Sequence, residues 1–139
     1  MAKRPISADS HITEPPNCYI DYIDAKYKDI APHVVDDPKR GEIYVIDGID
    51  IAIPLSLVAA AGKAPSELST KGAVFDKLHR GGWDPKARAA DQDRDGVAAE
   101  IIYPSVGMML SNHPDFGYKR ACFDAYNRWL LEFCEGLPN

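Results

Sequence analysis

The sequence predicts an α/β fold with a parallel sheet. Three observations carry that expectation: a compact apolar run, Ala99-Glu100-Ile101-Ile102-Tyr103, closed by Pro104; a capped polar helix directly before it; and an amphipathic helix directly after it. Strand, crossover and strand, with helices between, is the repeating unit of such folds. No internal repeat or low-complexity tract breaks the chain into separate units.

The first element is a short strand at about Ile6 to Ala8, running into Asp9-Ser10-His11 and stopped by Pro15-Pro16, which cannot extend a central strand. Cys18 to Lys28 places Tyr19, Ile20, Tyr22 and Ile23 at mixed spacing and is read as a short helix. Glu42 to Ile46 and Ile49 to Ile53 are β-branched or aromatic runs divided by Asp47-Gly48, the dipeptide of a two-residue hairpin turn. From Ala59 to Gly82 the chain mixes Ala, Gly, Pro, Ser and Lys, a long surface excursion with one helical turn near Phe75 to Leu78. Asp84-Pro85 starts a helix over about Pro85 to Arg94, which Gly96 ends. The run at Ala99 to Tyr103 then reads as a buried parallel strand. Last, Phe116, Phe123, Tyr126, Leu130 and Phe133 recur at helical spacing between Lys119, Arg120 and Arg128, giving an amphipathic helix.

Composition excludes several classes. A chain of 139 residues with 45% hydrophobic content can bury a core. Sixteen Lys and Arg against 21 Asp and Glu give a net charge of −5 with no basic block, which argues against nucleic acid as a partner. No stretch approaches the roughly 18 apolar residues of a membrane span, and the first ten residues lack a signal-peptide core. Cys18, Cys122 and Cys134 are odd in number and widely spaced, as reduced thiols are, so a cytoplasmic location is expected.

The sharpest chemical feature is Asp9-x-His11 at the end of the first strand. Side chains at i and i+2 of a strand share a face, so both can converge on one cation. A carboxylate with an imidazole suits zinc first, with manganese or iron as alternatives. Around it stand Ile6-Ser7-Ala8-Asp9-Ser10-His11-Ile12-Thr13-Glu14-Pro15-Pro16, then Gly81-Gly82-Trp83-Asp84-Pro85, and then Glu100-Ile101-Ile102-Tyr103-Pro104-Ser105. This succession resembles the N-terminal portion of the amidohydrolase-related family, metal-dependent barrel hydrolases and non-oxidative decarboxylases of aromatic acids. The resemblance runs from Ile6 to about Cys134. It implies that residues 1–139 are the N-terminal segment of a (β/α)8 TIM barrel, its first two β/α units, with a hairpin-bearing excursion over about 16–83. It implies that Asp9 and His11 are the ligand pair of a divalent metal ion, with the further ligands lying beyond this chain. A full barrel needs about 250 residues, so an incomplete barrel and a truncated form of the enzyme are expected.

Four further sites are weighed. Glu14 and Trp83 are candidates for contacting a small-molecule substrate, and so is His113, which follows the second strand on the side where barrel active sites sit. His33 and His79 read as solvated loop histidines. Asp91-x-Asp93-x-Asp95-Gly96 copies the first half of a calcium loop, but Ile102 stands where the bidentate Glu belongs; helix capping by these acids is the stronger reading. The function expected is a metal-dependent hydrolase or decarboxylase acting on a small organic, aromatic acid or amide. The alternatives are a non-catalytic interaction module and a calcium-binding module through Asp91, Asp93 and Asp95. Activity would call for a homo-oligomer that completes the pocket or for a missing C-terminal portion.

Overall fold

The computed structural model describes residues 3–58 and 60–137. Its elements run β1 (Ile6–Ile12), a 3-10 turn (Ala25–Ile30), β2 (His33–Asp37), β3 (Gly41–Ile46), β4 (Ile49–Pro54), α1 (Leu55–Val58), three further 3-10 turns, α2 (Pro85–Asp95), β5 (Ala99–Pro104), α3 (Gly107–Leu110) and α4 (Phe116–Glu135). They form two sheets: the parallel pair β1-β5, and an antiparallel sheet in the order β2-β3-β4.

The parallel pair is the expected β/α unit. Asp84 caps α2 by accepting from the Ala87 amide, Pro85 occupies the first turn, and Gly96 ends the helix at φ 72°. Only a residue without Cβ takes that left-handed conformation freely. The hairpin is also as expected, with Ile46 opposite Ile49 and Gly48 at φ 72° in the turn. The imidazole of His113 sits so close to Gly48 that an added Cβ would lie 2.7 Å from its Nε2.

Four expectations are corrected. The segment Cys18 to Lys28 is no α-helix: Pro15, Asn17 and Tyr19 carbonyls close successive tight turns, followed by the 3-10 turn. The side chains of Cys18 and Tyr19 are wholly buried, so burial of this aromatic segment in the core decides its path and local helical preference does not. The hairpin gains a third strand, because Val34-Val35 pairs with Ile43-Tyr44. Strand β5 is half-buried on one face, at Glu100, Ile102 and Pro104, while Ala99, Ile101 and Tyr103 are exposed, since a two-stranded sheet here has cover on a single side. In α4 the buried stripe is Tyr118, Cys122, Ala125, Tyr126, Trp129 and Phe133, while Phe116 faces solvent. The helical period holds, but the stripe begins at Tyr118 and Phe116 lies off it, on the solvent side of the first turn.

The core gathers Ile12, Cys18, Tyr19, Tyr44, Leu55, Val106 and Leu110 with the α4 stripe. It lies on one side of β1-β5. The other side of that pair, bearing Ile6, Ile101 and Tyr103, is open.

Candidate metal half-site

Strand β1 pairs with β5 in a register that sets Ser10 beside Ile102, His11 beside Tyr103 and Ile12 beside Pro104, with an irregularity between Ser7 and Ser10. Such bulges re-aim side chains. Asp9 and His11 both emerge on the exposed side, as the i, i+2 spacing requires, with side-chain exposures of 84% and 38%. His11 Nδ1 lies 3.1 Å from the Pro104 carbonyl oxygen. A carbonyl only accepts, so Nδ1 carries the proton and donates, which leaves the Nε2 lone pair of the neutral ring free. That Nε2 lies 3.5 Å from Asp9 Oδ1. A ring nitrogen held by a backbone carbonyl, with the other aimed at a carboxylate, is the arrangement of a metal-ligating histidine and its supporting shell. The pair opens into a shallow cavity of about 460 Å³ walled by Tyr103, Pro104, Met108 and Phe123.

The donor set fits a borderline divalent ion as two ligands out of the usual four. Among the described residues no group of three or more His, Cys, Asp or Glu side chains is gathered to hold a cation. Asp9 and His11 are the two candidate donors that the described residues bring together.

Arg88 supports this half-site from behind and was not singled out by sequence. Its Nε donates to Glu100 Oε2 at 2.6 Å, and its Nη1 donates to the carbonyls of His11 (3.1 Å) and Gly81 (3.2 Å). The ion pair is nearly buried, at 10% and 14% exposure. Arg88 thus joins α2, β5, the end of β1 and the turn before Trp83. Nothing in its sequence spacing marks it, because its partners come from three separate segments.

The three substrate candidates lie elsewhere. Glu14 is completely buried: Oε1 accepts from the Gly107 amide (3.0 Å) and from the Tyr19 hydroxyl (3.2 Å), and Oε2 has no partner among the described residues. Burial pushes its pKa up, against the pull of the backbone amides. It ties the loop after β1 to α3, out of reach of the open face. Trp83 packs its ring 5.2 Å from that of Phe75, with its indole N–H buried and unpartnered among the described residues. His113 is buried, its Nε2 donating to the Asp47 carbonyl at 2.8 Å and its Nδ1 accepting from the Asp115 amide at 3.1 Å. It fastens the hairpin turn.

The remaining histidines are not free either. His79 Nε2 lies 2.6 Å from Asp91 Oδ2, and His33 Nδ1 donates to Ala31 O. The calcium reading fails on the same geometry. Asp91, Asp93 and Asp95 sit on α2, where Asp91 and Asp95 share a face and Asp93 points away from them, and each is already engaged: His79 and Arg94 hold Asp91, Arg4 holds Asp93, and Arg94 reaches Asp95. The His79 hydrogen bond first, and then the charges of His79 and Arg94, depress the Asp91 pKa.

Fold and site together define a mixed α/β chain with a strand-end Asp-His pair. No family model matches the sequence, and no curated protein matches it. Among solved structures it is similar to an amidohydrolase from Mycobacterium avium subsp. paratuberculosis K-10, with a TM-score of 0.64 over 95% of this chain at 22% identity. The chain spans 39% of that protein's length. A likeness at that identity establishes a shared fold. No helix among the described residues is long and apolar enough to cross a membrane.

Proposed function

We propose that the chain is a segment of a metal-dependent (β/α)8 barrel enzyme, a hydrolase or non-oxidative decarboxylase of the amidohydrolase-related kind acting on a small organic acid or amide. The observation that carries this reading is the His11 ring. Its Nδ1 is committed to Pro104 O, and its Nε2 is left beside Asp9 Oδ1 at the strand ends where barrel chemistry resides. A divalent ion held there would polarise a substrate carbonyl or carboxylate and favour ionisation of water. Asp9 supplies negative charge that favours cation binding, and Pro104 O fixes the tautomer and ring plane of His11. Arg88 holds the His11 main chain, so that ring and backbone are both constrained. Tyr103, Met108 and Phe123 give the cavity an apolar wall suited to an aromatic or aliphatic acid.

A second reading, a non-catalytic interaction module, is favoured by the exposed apolar side chains around the pair. Metal analysis by plasma mass spectrometry on the purified chain, Asp9→Asn and His11→Ala tests the enzyme reading at its base. Bound zinc, manganese or iron, lost in both variants, is the expected result. A chain free of transition metal after incubation with zinc would remove it.

A further inference from the structure

A second cavity, of about 530 Å³, opens between α2 and the segment that carries Gly62 and His79. The Gly81-Gly82 pair of the sequence shapes it. A Cβ on Gly81 would overlap Asp91 Oδ2 and lie 3.0 Å from His79 Nε2, so the absence of a side chain there lets the 2.6 Å contact between His79 and Asp91 form. Asp91, whose pKa that hydrogen bond depresses, accepts as a carboxylate. Nε2 therefore carries the proton, and the Nδ1 lone pair of the neutral ring has no partner among the described residues. Gly62 lies against Nδ1 without covering it, at a place where a Cβ would stand 3.4 Å away. Arg88 meets the same turn. Its Nη1 donates to Gly81 O at 3.2 Å, and all its hydrogen bonds among the described residues run through Nε and Nη1, which leaves Nη2 over on a side chain that lines the cavity.

What the wall has to spare is thus one acceptor and one donor, both beside Gly81. The charges of the wall are already answered: Arg88 faces Glu100, and Arg94 faces Asp91 and Asp95. Two guanidinium groups against three carboxylates leave an excess of negative charge, which opposes an anion. A guanidinium nitrogen as the spare donor opposes a cation. A neutral ligand with a donor next to an acceptor is what remains, and that is the edge of a carboxamide. Ile12 and Val97 supply apolar wall for its body, and the volume falls within the range of small-molecule sites. We infer that this cavity binds a small neutral carboxamide, its N–H given to His79 Nδ1 and its carbonyl oxygen accepting from Arg88 Nη2. Neither Asp9 nor a metal ion takes part, so the inference stands or falls separately from the proposed function.

The test is a benzamide titration of the chelator-stripped protein carrying isotope-labelled histidine, read by NMR at the ring nitrogens in mildly alkaline buffer, where an imidazole is neutral. Benzoate and benzylamine, the same ring with either charge, are the comparisons. The expected result is saturable binding of one benzamide per chain with a moving His79 Nδ1 signal. Binding should weaken about tenfold or more for the two charged compounds and in His79→Phe, the effect of one lost hydrogen bond. Circular dichroism checks that His79→Phe folds, and the wild-type signal at His79 tests the site independently of that variant. No saturation up to about 10 mM benzamide overturns the site. A shift at another histidine in place of His79, or unchanged affinity in folded His79→Phe, overturns its location. Benzoate or benzylamine binding as tightly as benzamide overturns the neutral ligand class.

Discussion

Asp9 lies within β1 and Glu14 just beyond its end, five residues apart, and the surroundings of the two carboxylates are opposite. Asp9 is mostly exposed beside a histidine whose ring is oriented by a carbonyl. Glu14 is enclosed by Tyr19, Gly107 and Tyr44, with burial holding it toward its neutral form. The same opening motif therefore contains residues of two kinds. Asp9 and His11 face outward, away from the core, and Glu14 closes the chain's path behind them. One side of β1-β5 is fastened by buried polar contacts, and the other has none of its own.

If that contrast is right, stability should reside on the closed side. Arg88→Met is expected to have the largest effect, about 3–5 kcal/mol in urea unfolding, because Glu100 is left buried without its partner and the His11 and Gly81 carbonyls lose their donor. Wild-type stability in that variant would break the comparison outright.

Glu14→Gln sharpens it through pH. Glu14 ionises near its ordinary value when the chain unfolds and above it when folded, because burial disfavours the charged carboxylate. The unfolded state therefore gains from ionisation first, and the stability Glu14 lends is complete below its unfolded pKa and lost as pH rises toward the folded value. Glu14→Gln cannot ionise, so its thermal midpoint should climb relative to wild type as pH rises above the ordinary carboxylate range. A constant difference would show that the buried carboxyl does not titrate.

Asp84→Ala removes the α2 cap and should cost about 1 kcal/mol, since α2 positions Arg88. The smallest effect is expected on the open face. Ile101→Thr, in dilute chelator-treated protein, should stay within about 0.5 kcal/mol of wild type, because Ile101 is 51% exposed and buries little.

The sequence made the fold legible where local chemistry decides it. Asp84-Pro85 and Gly96 bracket α2, Asp47-Gly48 marks the hairpin, and the Ala99 run marks β5. It was equally informative for Asp9 and His11, since their spacing alone sets them on one face. It was silent where partners are distant. Arg88 meets Glu100, His11 and Gly81, and Glu14 meets Gly107 across 93 residues. No periodicity records such meetings, so the sequence does not show that Glu14 and His113 are buried in polar contacts or that Trp83 packs on Phe75. Cys18 to Lys28 departs from the expected helix for a related reason: Cys18, Tyr19 and Ile23 are drawn into the core, and tight turns serve that as well as a helix does.

The hydrogen bond from His11 to Pro104 spans 93 residues, and this has a consequence in time. The hairpin closes over a two-residue turn, a microsecond event, whereas parallel pairing of β1 with β5 must first close a loop of most of the chain. During synthesis the antiparallel sheet can form while His11 still rotates freely. The imidazole gains its fixed tautomer only after Pro104 has emerged and β5 has docked, so a nascent chain halted before that proline holds the two ligand residues without the geometry that makes them a pair.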